Sequence, residues 1–237
     1  MDRKTLAAAF KTTLPVLMGY MAIGMAFGLM LEAVGYNVIW AFFMSLTIYA
    51  GSGQYLGVQL LHTGEGLVQV ALMTLVINFR HVVYGLSMLE KFRGLGIRKI
   101  YMIFALTDET YALLSSTEAP KGIDAKKFYF YVAALDHSYW IAGSVIGCVA
   151  GYLIRINIQG IEFAMTAMFI VIAMEQWKSS RSHLPVAIGA VGALASLFLA
   201  GSERMLIPAI FVIVTLLLCL RGKLEEKVSP REEEMKS

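Results

Sequence analysis

Arg80 is the residue that most limits what this chain can become. It stands in the middle of Leu67–Leu89, an apolar run of roughly 23 residues with Asn78, Arg80, His81 and Tyr84 at its centre. At about 1.5 Å per residue that run is long enough to cross a bilayer core of about 30 Å. Arg80 then lies about 15 Å from the helix end, near the midplane. An arginine at that depth costs roughly 2.5–3.5 kcal/mol even on the lenient insertion scale. It is therefore expected to face protein, water or a bound solute, and the remaining sequence reads as the housing of that site.

Composition agrees. The chain is 58% hydrophobic and only 16% charged, with a mean hydropathy of +0.67, whereas soluble domains are about half apolar and a quarter charged. The expected fold class is all-α: a polytopic integral membrane helical bundle of about 6–8 membrane segments, some broken or re-entrant. The short alternating segments of a β-barrel are absent from the sequence. Residues 1–220 read as one transmembrane transporter domain, and 221–237 as a charged, disordered cytoplasmic tail. The net charge of +3 gives no argument for nucleic acid. Cys148 and Cys219 both lie in apolar runs, so packing is expected rather than a disulfide, and no cysteine cluster suggests a metal. No cofactor is expected.

The first span is expected over about Leu14–Val34, with Pro15 in its first turn. Gly24 and Gly28, with Gly35 beyond, place small residues on one face, the pattern that lets helices approach closely in lipid. The next run, Val38–Leu61, is interrupted by Tyr49-Ala50-Gly51-Ser52-Gly53-Gln54. Glycines there favour a broken helix whose freed backbone groups line a cavity, as in transporters. The alternative is an intact helix whose glycines only pack. In the third segment Thr74, Asn78, His81 and Gly85 share one stripe, with Arg80 and Tyr84 nearly opposite, which predicts a helix in the bundle interior. Ile100–Ser116 is short and carries Thr107-Asp108-Glu109, two carboxylates as costly at that depth as Arg80. In Phe128–Ile154, Asp136, Trp140, Gly143, Gly147 and Gly151 fall on one face. About Ile161–Trp177, Leu184–Ala200 and Met205–Leu220 read as scaffold spans.

The head with Arg3, Lys4 and Lys11, and the stretches Lys91–Lys99, Lys121–Lys127, Lys178–Arg181 and Arg221/Lys223, are all basic. They can all be cytoplasmic only if Val38–Leu61 and Ile100–Ser116 do not cross fully. The expectation is thus a cytoplasmic N-terminus, a cytoplasmic-membrane location and two re-entrant or broken pieces.

The candidates for substrate binding or coupling are Gly51, Ser52, Gly53, Gln54, Asn78, Arg80, His81, Asp108, Glu109 and Asp136. A zwitterionic amino acid needs donors for its carboxylate, which Arg80, Asn78 or the backbone at Gly51–Gly53 supply. It needs an acceptor for its ammonium, for which Asp108, Glu109 or Asp136 stand ready. His81 suits proton relay as well as a satisfied interior role. The structural alternative is that Arg80 pairs with Asp108 or Glu109 only to fix helix register. Two further readings are a channel-like or structural membrane subunit, and an intramembrane serine protease using Ser52. The rhomboid-type pattern has glycine where Ala50 stands, and nothing else supports a catalytic dyad.

Ala50–Gln54, Asn78-Phe79-Arg80-His81-Val82-Val83-Tyr84-Gly85, Leu106-Thr107-Asp108-Glu109 and the Trp140/Gly143/Gly147 span occur in an order and spacing that resemble AzlC-type branched-chain amino acid permeases, over about residues 10–220. The resemblance implies export of branched-chain or other hydrophobic amino acids, driven by an ion gradient. It also implies a small, separately encoded AzlD-type membrane partner subunit.

Overall fold

The computed structural model describes residues 3–64, 66–154, 170, 174, 177, 183–201 and 206–219. Among these every regular element is a helix: α1 (Arg3–Ala33), α2 (Val38–Thr47), α3 (Ser52–Thr63), α4 (Leu67–Ser87), α5 (Arg98–Phe104), α6 (Asp108–Ser116), α7 (Ala125–Ile154), α8 (Leu184–Ala200) and α9 (Leu206–Cys219). The chain forms two compact units, Met1–Thr166 and Ala167–Ser237. Three described helices, α1, α4 and α7, are long and apolar enough to cross a membrane.

The first unit is built on a parallel pair, α1 and α7. Their backbones approach where the glycines fall. A methyl group on Gly24 would lie 3.2 Å from the amide nitrogen of Ser144, one on Gly143 2.8 Å from the carbonyl of Tyr20, and one on Gly147 2.5 Å from Met25 Cα. At Gly28 a methyl would clash outright with the Ser144 carbonyl. Side chains larger than hydrogen would push the helices apart, as the spacing predicts. Gly35 does not extend this seam. It lies beyond the helix at φ +91, ending α1 instead. Pro15 sits inside α1 rather than in its first turn, because the helix begins at Arg3. Asp124 precedes α7 and accepts from the amides of Lys126 (3.0 Å) and Lys127 (3.3 Å). The Lys127 amide bond holds the Asp124 carboxyl below its usual range.

Two hairpins lie against this pair. Asn37 caps α2 through a bond from the Ile39 amide (3.1 Å). The helix stops because Tyr49 and Gly51 adopt φ of 43 and 32, outside the right-handed helical region. From there α3 doubles back. Gln54 Nε2 donates to Ser45 Oγ (3.3 Å). A methyl on Gly57 would touch Met44. The Tyr55 ring meets Phe27 further along α1. Helices of 10 and 12 residues span only about 15 and 18 Å, half a bilayer core each. The interrupted second segment is thus a re-entrant hairpin, entering from the end where α1 and α7 finish.

The second hairpin, α5–α6, enters from the other end. Lys91 Nζ donates to the carbonyls of Leu114 (2.5 Å) and Thr117 (2.9 Å) at the foot of α6. Lys126 Nζ, at the start of α7, donates to Gly94 (3.1 Å). The foot of α6, the loop after α4 and the start of α7 therefore share one end. Between the hairpins α4 crosses from end to end. It does not lie inside the first unit as expected: Leu75, Phe79, Val82, Val83 and Leu86 are each more than half exposed. The reason is reach: Arg80 and Tyr84 extend to the hairpin tips at Ser52 and Asp108, and Asn78 lies against Gly53, although they looked like two faces.

In the second unit α8 and α9 pack together, with Ile213 closing on Gly192. These match two of the expected scaffold spans. Most of Ile161–Trp177 and all of 221–237 lie outside the described residues. Cys148 is buried, Cys219 is exposed, and both are free thiols.

Candidate functional site

The two hairpin tips meet: the rings of Tyr49 and Phe104 lie 6.3 Å apart. Arg80 bridges them. Its Nη2 donates to Ser52 Oγ, the first residue of α3. Its Nη1 lies 2.5 Å from Asp108 Oδ2, on the first residue of α6. One guanidinium fork thus spans the N-termini of two half-helices that enter from opposite ends. Lysine has a single ammonium and could not hold both in fixed geometry. The pair is half-open, with side-chain exposures of 21% for Arg80 and 39% for Asp108. Tyr84 donates to Asp108 Oδ1 (2.6 Å) and stacks on Tyr111 at 4.3 Å. Arg80 Nε and Asn78 Oδ1 are buried with no hydrogen-bond partner among the described residues. Buried polar atoms of that kind are rare.

The local reasons differ between the tips. Gly51 takes a positive φ that side chains resist, and no side chain caps α3. Gly53 leaves room for Asn78, whose amide would lie 2.9 Å from a methyl placed there. At the other tip Thr107 caps α6, accepting from the Thr110 amide (3.3 Å). Asp108 and Glu109 then occupy the first turn, where the helix dipole favours negative charge.

Of the residues singled out from sequence, Ser52, Gly53, Asn78, Arg80 and Asp108 come together, with Gly51 shaping the turn. His81 turns its ring edge to Tyr84 at 6.0 Å. Gln54 is fully buried and tied to Trp140 Nε1 (2.8 Å) as well as Ser45, so it anchors the first hairpin to α7. Asp136 is fully buried, bonded to Thr110 Oγ1 (3.0 Å). Glu109 accepts from the Tyr20 hydroxyl (2.9 Å). Ser52's oxygen is engaged by a guanidinium rather than an imidazole, the opposite of an activated nucleophile.

Sequence reasoning passed over Tyr20, Thr107 and Thr110. Thr107 and Thr110 flank the two carboxylates at helical spacing, and Tyr20 lies one turn before Gly24 on the seam face. Those signals are faint because threonine and tyrosine are common in apolar helices.

A family model described as AzlC protein matches residues 15–154. The branched-chain amino acid transport protein AzlC of Bacillus subtilis is 36% identical over 219 residues, 92% of this chain and 86% of that protein. An uncharacterized membrane protein of Helicobacter pylori (strain ATCC 700392 / 26695) is 41% identical over 94% of this chain and 97% of its own length. Inner membrane protein YgaZ of Escherichia coli is 28% identical over 80% of each chain. No solved structure matches.

Proposed function

The chain belongs to the AzlC family, and on that premise we propose that it is a secondary transporter of the cytoplasmic membrane. It exports branched-chain or other hydrophobic amino acids by alternating access, coupled to an ion gradient, and acts with an AzlD-type small membrane subunit. The name of the Bacillus subtilis relative supports the substrate class. The observation that carries the mechanism is the Arg80 bridge between two re-entrant half-helices from opposite ends.

The zwitterion fits that bridge by charge. Its carboxylate takes the Arg80 fork and the positive end of α3. Its ammonium takes Asp108. The substrate thereby parts the internal ion pair and replaces each partner with one of its own charges, so no buried charge is left alone. Each hairpin stands between the bridge and one end of the unit. Tilting one hairpin while the other stays seated opens the site to one side at a time.

Orientation follows from charge. Arg3, Lys4, Lys11, Lys91, Arg93, Lys121, Lys126 and Lys127 belong to the end where α1 and α7 begin. Among the described residues, Val34–Asn37, Gly64 and Gly66, at the other end, include no lysine or arginine. That asymmetry supports a cytoplasmic N-terminus.

The test is leucine efflux from preloaded cells that express the chain with its small partner subunit. Arg80→Ala removes a charge-assisted contact, and initial efflux should fall about 10- to 100-fold at unchanged protein level. Normal efflux from that variant sinks the site. Full efflux from cells lacking the small subunit sinks the partner.

A further inference from the structure

Asp136 and Glu109 sit at opposite ends of a hydrogen-bonded chain that the Arg80 bridge does not use. Thr110 Oγ1 donates to Asp136 Oδ2 (3.0 Å). Thr107 and Thr110 share a bond between hydroxyls (3.0 Å). The Tyr20 hydroxyl bonds Thr107 Oγ1 and reaches Glu109 Oε2 at 2.9 Å. Asp136 and Thr110 are 0% exposed, Tyr20 2% and Thr107 5%, whereas Glu109 is exposed. Asp136 Oδ1 is also buried, with no hydrogen-bond partner among the described residues.

A proton count decides what this chain is. It has four contacts and three hydroxyls. Each hydroxyl donates once. With both carboxyls ionised, three protons serve four contacts, and two lone pairs are forced to face each other in a buried place. One more proton completes the set. Placed on Glu109, it lets every hydroxyl donate toward Asp136. Placed on Asp136, it lets every hydroxyl donate toward Glu109. The two states interconvert when each oxygen passes its proton to the next. No atom is gained or lost, and one carboxyl becomes acid as the other becomes carboxylate.

We propose that Glu109–Tyr20–Thr107–Thr110–Asp136 is a proton wire holding one shared proton, and that it carries the coupling proton of transport. The coupling role rests on the transport reading above; the shared proton does not. Glu109 is the end that meets the substrate site, beside Asp108, and Asp136 is the sequestered end. Thr107 ties the wire to the bridge, because it caps α6 and Asp108 is the first residue of that helix.

The groups around the buried end are mostly neutral. The first hairpin's tip contributes Tyr49, α5 contributes Tyr101, and α1 contributes Tyr20. On α7 itself, Tyr139 is near, and His137 is engaged with Ser45 and Tyr101. Glu109 is the other carboxylate acting on Asp136, and Arg80 is paired with Asp108 instead. Among the described residues Asp136 forms no ion pair.

Infrared spectroscopy of the purified protein in nanodiscs, near neutral pH, tests the wire without reference to transport. The wild type should show a protonated-carboxyl C=O band that shifts in deuterated water. Asp136→Asn and Glu109→Gln each supply an amide N–H as the missing donor, so each should lose the band while melting as the wild type does. No band in the wild type, or a band that survives either substitution, overturns the shared proton.

Proteoliposomes containing the chain and its small subunit test the coupling. Tyr20→Phe keeps the ring and cuts the chain. Leucine counterflow should stay at the wild-type rate, and leucine accumulation driven by an imposed pH gradient should be lost. Accumulation that persists in Tyr20→Phe, or a wild type driven by sodium alone, overturns the coupling role. A wild type that moves no branched-chain amino acid at all overturns the transport reading, and the infrared result then judges the wire by itself.

Discussion

The two re-entrant hairpins enter from opposite ends and meet on one arginine, but their tips are made differently. The first turns on backbone conformation. Gly51 has a positive φ, no side chain caps α3, and the first side chain is the small neutral Ser52. The second turns on side chains. Thr107 caps α6, and Asp108 and Glu109 fill its first turn. A helix N-terminus favours negative charge. At α6 the protein's own carboxylates take that place. At α3 it is left to a neutral serine and to Arg80. In the transport reading proposed above, the difference gives the site two poles, one cationic at Arg80 and one anionic at Asp108, which would set which way round a zwitterion lies.

Asp108→Asn strikes the anionic pole and carries the largest expected effect of this comparison. It removes the ammonium acceptor and the partner of Arg80 together, and leucine efflux should fall about 10- to 100-fold. The poles can be told apart by inhibitors. The 2-hydroxy analogue of leucine keeps the carboxylate and lacks the ammonium. It should inhibit leucine counterflow at least as well in Asp108→Asn as in the wild type, because the variant leaves no carboxylate unpaired when Arg80 is taken. Leucinamide keeps the ammonium and should lose its inhibition in that variant. If both compounds weaken to the same degree, the site has no such polarity.

Gly51→Ala tests whether the first tip depends on its backbone. A side chain at φ 32 meets strain of roughly 1–3 kcal/mol. Space is not the obstacle, since nothing lies within 4 Å of a methyl there. The expected result is lower thermal stability in detergent with Arg80 and Asp108 intact. Unchanged melting would mean that the turn relaxes to a conformation alanine accepts.

The sequence carried the scaffold more clearly than the chemistry. Glycine at Gly24, Gly28, Gly143 and Gly147 announces a helix seam because the requirement is local: no side chain fits. The break at Tyr49–Gln54 is legible for a different local reason, since glycine accepts the positive φ that Gly51 takes, and the basic stretches predicted two re-entrant or broken pieces. The expectation for α4 failed because periodicity records direction and not reach, and Arg80 and Tyr84 extend beyond their own stripe. The chain from Glu109 to Asp136 was hidden altogether. Its contacts join residues 26 and 87 positions apart, Thr110 with Asp136 and Tyr20 with Thr107, and only the folded hairpin brings them together.

Ser52→Ala carries the smallest expected effect and separates two classes of function. The hydroxyl supplies one of the two contacts that hold the Arg80 fork, while Asp108 supplies the charged one. A hydrogen bond of that kind contributes roughly 0.5–1.5 kcal/mol, so half-saturation for leucine should rise about 2- to 10-fold with little change in maximal rate. A nucleophile behaves otherwise. If Ser52 attacked a peptide bond, its loss would abolish activity outright, and the arginine beside it would be a poor base, since it stays charged and has no proton-accepting nitrogen. Efflux that survives in Ser52→Ala with a weakened half-saturation therefore places the serine on the cationic pole as a positioning contact. Complete loss at normal protein level would take the first tip out of the comparison and put a reaction there instead.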